Sequence, residues 1–123
     1  MHTALVIDDH ESLLHITDLT LKRAGFQTFT SRNGREGLDL LYSQLPHLVI
    51  VEHELPGFSG LDICKAVKNS AETRHIKIVL YTTNLTGTYR QAYLDAGVDA
   101  IVFKPRTPRE LLTTVECCLG AQV

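Results

Sequence analysis

Seven side chains in this 123-residue sequence have types that suit metal or phosphate chemistry: Asp8, Asp9, Glu52, Glu54, Thr82, Thr83 and Lys104. Carboxylates are hard oxygen donors of the kind Mg²⁺ and Ca²⁺ take. An ammonium beside them offsets charge or holds a phosphoryl oxygen, and a threonine hydroxyl donates to such an oxygen. Taken singly, each carboxylate is explained as a loop end or helix cap. Their placement carries more weight, because each group directly follows an apolar run. Four carboxylates facing one lysine would leave a local charge of about −3, and mutual repulsion is then expected to raise at least one carboxyl pKa.

The runs that would position them are short and regularly spaced. Ala4-Leu5-Val6-Ile7 stops at Asp8, Leu48-Val49-Ile50-Val51 at Glu52, Ile76 to Tyr81 at Thr82, and Ala100-Ile101-Val102-Phe103 at Lys104. Continuous apolar runs of this length read as strands buried on both faces. Phe26 to Thr30 reads as a further strand. Between them lie helical patterns. Glu11 to Ala24 carries Leu13, Ile16, Leu21 and Ala24 and ends at Gly25. Asn33 to Glu36 has capping-box residue types ahead of Leu38, Leu41 and Leu45, with Pro46 as the stop. Ser59 caps a segment with Leu61, Cys64, Ala66 and Val67; Thr86 to Ala96 precedes Gly97; Thr107-Pro108-Arg109-Glu110 starts the last helix. Five strands each followed by a helix predict one α/β domain over 1–123, a parallel sheet with helices on both faces. Such sheets gather ligand chemistry at the carboxyl ends of their strands, where the seven side chains stand.

Composition narrows the function. With 44% hydrophobic and 21% charged residues the chain is neither disordered nor fibrous. Twelve Lys and Arg against fourteen Asp and Glu give a net charge of −2, which argues against nucleic-acid binding by bulk charge. No apolar run approaches a membrane span, and Met1-His2-Thr3 does not open a secretory leader. Three cysteines, two adjacent, form no disulfide framework and suggest a reduced, cytoplasmic protein.

Six segments in order, Leu5-Val6-Ile7-Asp8-Asp9, Leu48 to Glu52, Leu55-Pro56-Gly57-Phe58-Ser59-Gly60, Leu80-Tyr81-Thr82, Ala96 to Asp99 and Val102-Phe103-Lys104-Pro105, resemble the receiver domain of two-component response regulators. The likeness runs from Ala4 to about Leu119. It implies a flavodoxin-like, CheY-like three-layer (βα)5 sandwich with strand order 2-1-3-4-5. It also implies a domain that is no enzyme in itself and takes a phosphoryl group from a histidine kinase onto an acid after the third strand. By position, Asp8 and Asp9 resemble the acidic pair that holds Mg²⁺, Glu52 the phosphoacceptor and a metal contact, and the backbone carbonyl of Glu54 a further ligand. Thr82 resembles the switch hydroxyl and Lys104 the phosphate-contacting lysine, with a Lys104-Pro105 bond of a kind often cis. The partner, a histidine kinase or a downstream signalling protein, is expected on the face of the fourth helix, fifth strand and fifth helix.

The departures from the family set the functional question. Glu52 stands where the family has Asp; its carboxylate reaches about 1.5 Å further, one C–C bond. Misplacement of that order costs about 10²-fold in rate for an in-line transfer. The same reach carries negative charge toward Lys104 and Thr82, as in a partial mimic of the phosphorylated state. Ile101 stands where the family usually has Tyr or Phe, Thr83 replaces a small residue, and Glu54 adds a carboxylate. The favoured reading is a pseudo-receiver acting through protein binding without phosphorylation. Its rival is a phosphoacceptor receiver using Mg²⁺ and Glu52. A flavodoxin-like cofactor binder is disfavoured because Asp8-Asp9 would repel a phosphate. With 123 residues spanned by one receiver, output is expected through a partner or a larger protein.

The remaining candidates read as structural. His2, His10, His15, His47, His53 and His75 show no paired metal-ligand spacing and are expected at surfaces or helix ends. His53 adjoins Glu52, but neighbours on a strand face opposite ways. Cys64, Cys117 and Cys118 read as small core residues, and Asp62 as a helix first-turn acid. Of Tyr89 and Tyr93, packing on the sheet is the simpler role, and an exposed one would make a partner anchor.

Overall fold

A computed structural model describes residues 2–120; Met1 and residues 121–123, at the ends of the expected 1–123 domain, lie outside the described residues. The elements alternate strictly: β1 (Thr3–Ile7), α1 (Glu11–Arg23), β2 (Gln27–Ser31), α2 (Gly34–Gln44), β3 (Leu48–Val51), α3 (Gly60–Lys68), β4 (Lys77–Thr82), α4 (Gly87–Ala96), β5 (Ala100–Phe103) and α5 (Pro108–Cys118). The strands form one parallel sheet in the order β2-β1-β3-β4-β5. This is the flavodoxin-like architecture that the apolar runs and the resemblance predict.

Alternation along each strand divides the core in two. Leu5, Ile7, Val49, Val51, Ile78 and Leu80 pack against Leu41, Ile63, Val67 and Tyr93 from α2, α3 and α4. Ala4, Val6, Leu48, Ile50, Val79 and Val102 pack against Leu14, Leu21, Leu111 and Val115 from α1 and α5. A strand whose two faces are both covered needs apolar residues at every position, which is why these runs are continuous.

Two helix faces differ from expectation. In α1 the buried residues are Leu14, Thr17, Thr20 and Leu21, whereas Ile16 is 53% exposed and Ala24 is the C-cap. Thr20 is tolerated inward because its hydroxyl donates to the Ile16 carbonyl at 2.8 Å. Threonines that settle their own hydroxyls look polar in a sequence and behave as core. In α2, Leu45 is no part of the apolar face; it is the C-cap in the left-handed region (φ 45°) and stands exposed. Asn33 accepts from the Glu36 N–H at 2.7 Å, while the capping boxes at Ser59/Asp62 and Thr107/Glu110 close in both directions. The fourth strand lies one residue later than expected, so Thr82 is its last residue.

Candidate functional site

The parallel register brings the ends of β1, β3, β4 and β5 to one rim. Ile7 pairs with Val51, Val51 with Leu80, and Thr82 with Phe103, so Asp8 and Glu52 follow the adjacent strands β1 and β3, and Lys104 follows β5 on the far side of β4. The Lys104 ammonium donates to Asp8 Oδ2 at 2.6 Å and to Glu52 Oε1 at 2.8 Å, with all three side chains buried. Lys104 also sits over the Tyr81 ring, 5.5 Å from its centroid. The second Glu52 oxygen accepts from the His53 backbone N–H at 2.6 Å, and the second Asp8 oxygen from the His10 backbone N–H at 3.0 Å. Thr82 is buried beside them, its hydroxyl donating to the Asn84 carbonyl at 3.5 Å. The Lys104-Pro105 bond is cis.

This geometry corrects the picture of four acids crowding one lysine. Only Asp8 and Glu52 touch Lys104. Asp9 is partly exposed, and the Glu54 side chain stands in solvent because the chain has already left the strand for the turn. The expected upward pKa shift fails for Glu52. Burial pushes its carboxyl up, but the Lys104 hydrogen bond, the nearby Thr82 hydroxyl, the Lys104 charge and the His53 N–H together hold it below its ordinary value. Burial likewise opposes the charged form of Lys104, and its two carboxylate partners outweigh that and raise its pKa. A tight ion triad has replaced the anticipated repulsion.

Two histidines behave less blandly than their spacing suggested. His10 caps the start of α1 without a side-chain cap bond; its Nδ1 lies 3.5 Å from both Asp8 Oδ1 and Asp9 Oδ1. The signal was its place directly after two carboxylates, in a loop too short to carry the ring away. His53, already past the end of β3, directs its ring to α4, where Nδ1 hydrogen-bonds Tyr93 Oη at 2.7 Å and the ring packs on Tyr89 at 4.4 Å between centroids. Tyr93 is fully buried and Tyr89 is 45% exposed, so the pair divides between core and surface. Gly60 lets α3 approach this corner: a Cβ there would lie 2.5 Å from the Glu52 carbonyl oxygen and 2.7 Å from Tyr93 Oη. Thr83 is exposed and Ile101 is half-buried. Cys64 is buried as expected, whereas Cys117 is exposed on the outer side of α5 and is no core residue.

A sequence profile of the response regulator receiver domain matches residues 4–116. The chain belongs to this family. Solved structures agree across nearly its whole length. The chemotaxis response regulator CheY4 of Vibrio cholerae is 26% identical, with a TM-score of 0.89 over 96% of this chain and 98% of that one. A LuxR-family DNA-binding response regulator from Staphylococcus aureus is 25% identical, with a TM-score of 0.89 over 97% and 99%. The signal receiver domain of a histidine kinase from Syntrophus aciditrophicus is 26% identical, with a TM-score of 0.89 over 98% and 92%.

Against that background the donor set of this receiver fits a divalent cation. Lys104 takes one oxygen each of Asp8 and Glu52, the other oxygen of each accepts one backbone N–H and keeps a lone pair for a cation, and the partly exposed Asp9 carboxylate is the next residue along the chain. Asp8, His10 and Glu52 each offer a ligand atom within 4.8 Å of the others, the one such cluster among the described residues. No described helix is long and apolar enough to cross a membrane.

Proposed function

We propose that this receiver is a cytoplasmic signalling module, not an enzyme, whose output is phosphorylation-independent binding to a protein partner. The observation that carries the reading is the 2.8 Å contact between Glu52 Oε1 and Lys104 Nζ. By resemblance, Lys104 is the group that meets a phosphoryl oxygen. Here the longer glutamate side chain reaches that lysine unaided, so part of the charge pairing associated with the phosphorylated state exists without phosphate. A carboxylate has fewer acceptor oxygens and less charge than a phosphoryl group, so the mimicry is partial.

Mg²⁺ belongs to this reading: Asp8, Asp9, Glu52 and the Glu54 backbone carbonyl would hold it, and it would supply charge neutralisation when bound. The residues of the chain act independently of it: Lys104 neutralises the two buried carboxylates, the His53 N–H fixes the Glu52 rotamer, and the buried Thr82 hydroxyl, now on the Asn84 carbonyl, lies beside them. The partner is a histidine kinase or a downstream signalling protein. The face of α4, β5 and α5 supports this assignment, since Tyr89 and Leu94 of α4 are exposed and β5 and α5 carry a hollow of about 270 Å³ lined by Ile101, Arg106, Glu110 and Thr114. No nucleic-acid role is proposed for a chain of net charge −2.

Incubation with Mg²⁺ and acetyl phosphate or beryllofluoride, followed by intact mass and backbone NMR, tests the reading. The expected result is no adduct and no shifts running from Glu52 to α4. A stable adduct on Glu52 would replace it with the phosphoacceptor reading, in which a Glu52 oxygen attacks phosphorus and acetate departs. Glu52→Asp is the companion variant: phosphorylation regained there would show that acceptor reach alone had been lost.

A further inference from the structure

Helix α1 sorts its residues in a way that a single core does not explain. Between Leu14 and Leu21 it buries Thr17 and Thr20, and it presents Ile16 and Leu19 to solvent, 53% and 36% exposed. A helix that served the sheet alone would gain by the opposite choice, since apolar side chains stabilise when they leave water. The two exposed side chains are not scattered. With Thr20 and Arg23, and with Pro108 and Leu112 of α5, they line a hollow of about 380 Å³ between the two helices. Ser12, Ile16, Leu19 and Arg23 follow one another at intervals of four, three and four residues, the spacing of a seam by which one helix packs on another. At about 3.6 residues per turn, Glu11 and Lys22 flank the same side of that stripe, at opposite ends of the helix.

We propose that this face binds a second copy of the chain, with the two α1 helices packed antiparallel about a two-fold axis midway between Ile16 and Leu19. The stripe is complementary to itself, which a two-fold contact requires. That axis sets Ile16 of one copy against Leu19 of the other, and Ser12 against Arg23. At both ends it also sets Glu11, the acid of the first turn, beside Lys22 and Arg23, the bases of the last turn. Lys22 already pairs with Asp18 of its own helix at 3.1 Å, so Arg23 is the base that Glu11 gains. A parallel pairing would bring the basic ends together, whereas the antiparallel one joins unlike charges and opposes the helix dipoles favourably. Helix α5 turns Pro108 and Leu112 to this groove and Glu110 and Thr114 to the hollow beside β5, so the dimer keeps the proposed partner face open in both copies. The contact is small, and a dissociation constant on the order of 10 µM is expected. Self-association through α1 uses no residue of the Asp8–Glu52–Lys104 corner, so it stands or falls apart from the proposed function.

Sedimentation velocity of the wild-type chain, at concentrations on both sides of that value, should show a monomer–dimer equilibrium. Ile16→Glu and Leu19→Glu each put a carboxylate into the apolar centre twice per dimer and should weaken association by about tenfold or more. Glu11→Lys sets like charges at both ends and should weaken it by about threefold or more. Tyr42→Glu and Glu36→Lys make matching charge changes on α2, away from the groove, and should associate as the wild type does. All five substituted side chains are exposed, so each variant is expected to fold, which circular dichroism checks. A wild-type chain that stays monomeric throughout assigns the groove to a different protein and overturns the proposal. A dimer that survives both Ile16→Glu and Leu19→Glu overturns it too, as does one that Leu94→Glu disrupts while the α1 variants retain it, since the contact then lies on α4. If Glu11→Lys associates as tightly as Glu36→Lys, the antiparallel arrangement is wrong.

Discussion

At the scale of single residues, the ion triad decides the character of the site. Lys104 is buried against two carboxylates at 2.6 and 2.8 Å, so removing it leaves like charges facing each other out of water. Lys104→Met should therefore destabilise the chain by roughly 3–5 kcal/mol, read from urea denaturation, as expected when one partner of a buried ion pair is lost. Glu52→Gln should cost less in the same assay, because Lys104 keeps Asp8. The cysteines allow a second test. Burial pushes the Cys64 thiol up to about 11, with the Lys68 charge opposing and Asp99 assisting. A raised thiol pKa means that the folded state holds its proton more tightly than the unfolded chain. Its contribution to stability is thus complete below the ordinary value of 9.0 and is lost as pH climbs toward about 11. Iodoacetamide at pH 8 should modify exposed Cys117 and spare Cys64, as peptide mapping will show.

At the scale of elements, two close approaches and one staple hold the site's surroundings. Gly34 begins α2 where a Cβ would overlap the Phe58 carbonyl oxygen, and its N–H donates to the Pro56 carbonyl at 2.9 Å. Gly60 brings α3 against the Glu52 carbonyl and Tyr93 Oη. Gly34→Ala and Gly60→Ala should each cost about 1–3 kcal/mol in denaturant midpoint analysis, the range for overpacking. Only Gly60→Ala should also shift the NMR signals of both His53 and Tyr93. At the far end of the sheet, Asp99 joins β4 to α3: Oδ2 accepts from Lys68 Nζ at 2.9 Å and from the Ile78 N–H at 2.8 Å. Lys68 adds donations to the Arg74 and Ile76 carbonyls, so the pair reads as scaffold and stands apart from the Asp8–Glu52–Lys104 corner. The Ala96 to Asp99 segment that contributed to the family resemblance thus has a structural role of its own.

At the scale of the molecule, the question is how a site on one rim speaks to a partner. Ile101, half-buried and without a polar tip, gives β5 no aromatic lever. His53 supplies a different link, since its backbone N–H holds Glu52 while its ring bonds buried Tyr93 and packs on exposed Tyr89 of α4. Tyr89→Ala should move the urea midpoint only slightly, because the residue is 45% exposed and lies outside both apolar cores. The same variant should weaken capture of a partner that docks on the α4 face by about 1 kcal/mol or more, the usual cost of losing an aromatic anchor.

The amino-acid sequence determined the architecture by itself because the physics of a doubly covered parallel strand is local. Such a strand must be continuously apolar, and β1, β3, β4 and β5 announce themselves within one residue of their observed ends. The residues at those ends were legible for the same reason: a charged group that stops an apolar run stands at the rim. What sequence could not decide was which charges meet. Asp8 and Lys104 are separated by 96 positions and touch only because β5 closes the sheet beside β4. Glu54, two residues beyond Glu52, lies outside because a turn has begun. The direction of the Glu52 shift followed from that same distinction, since repulsion among four acids and neutralisation by one lysine differ in sign, and only tertiary structure sets the distances that choose between them. The inward face of α1 was legible only in part: Leu21 is buried as expected, but Thr20 becomes a core residue only once its hydroxyl has found the Ile16 carbonyl.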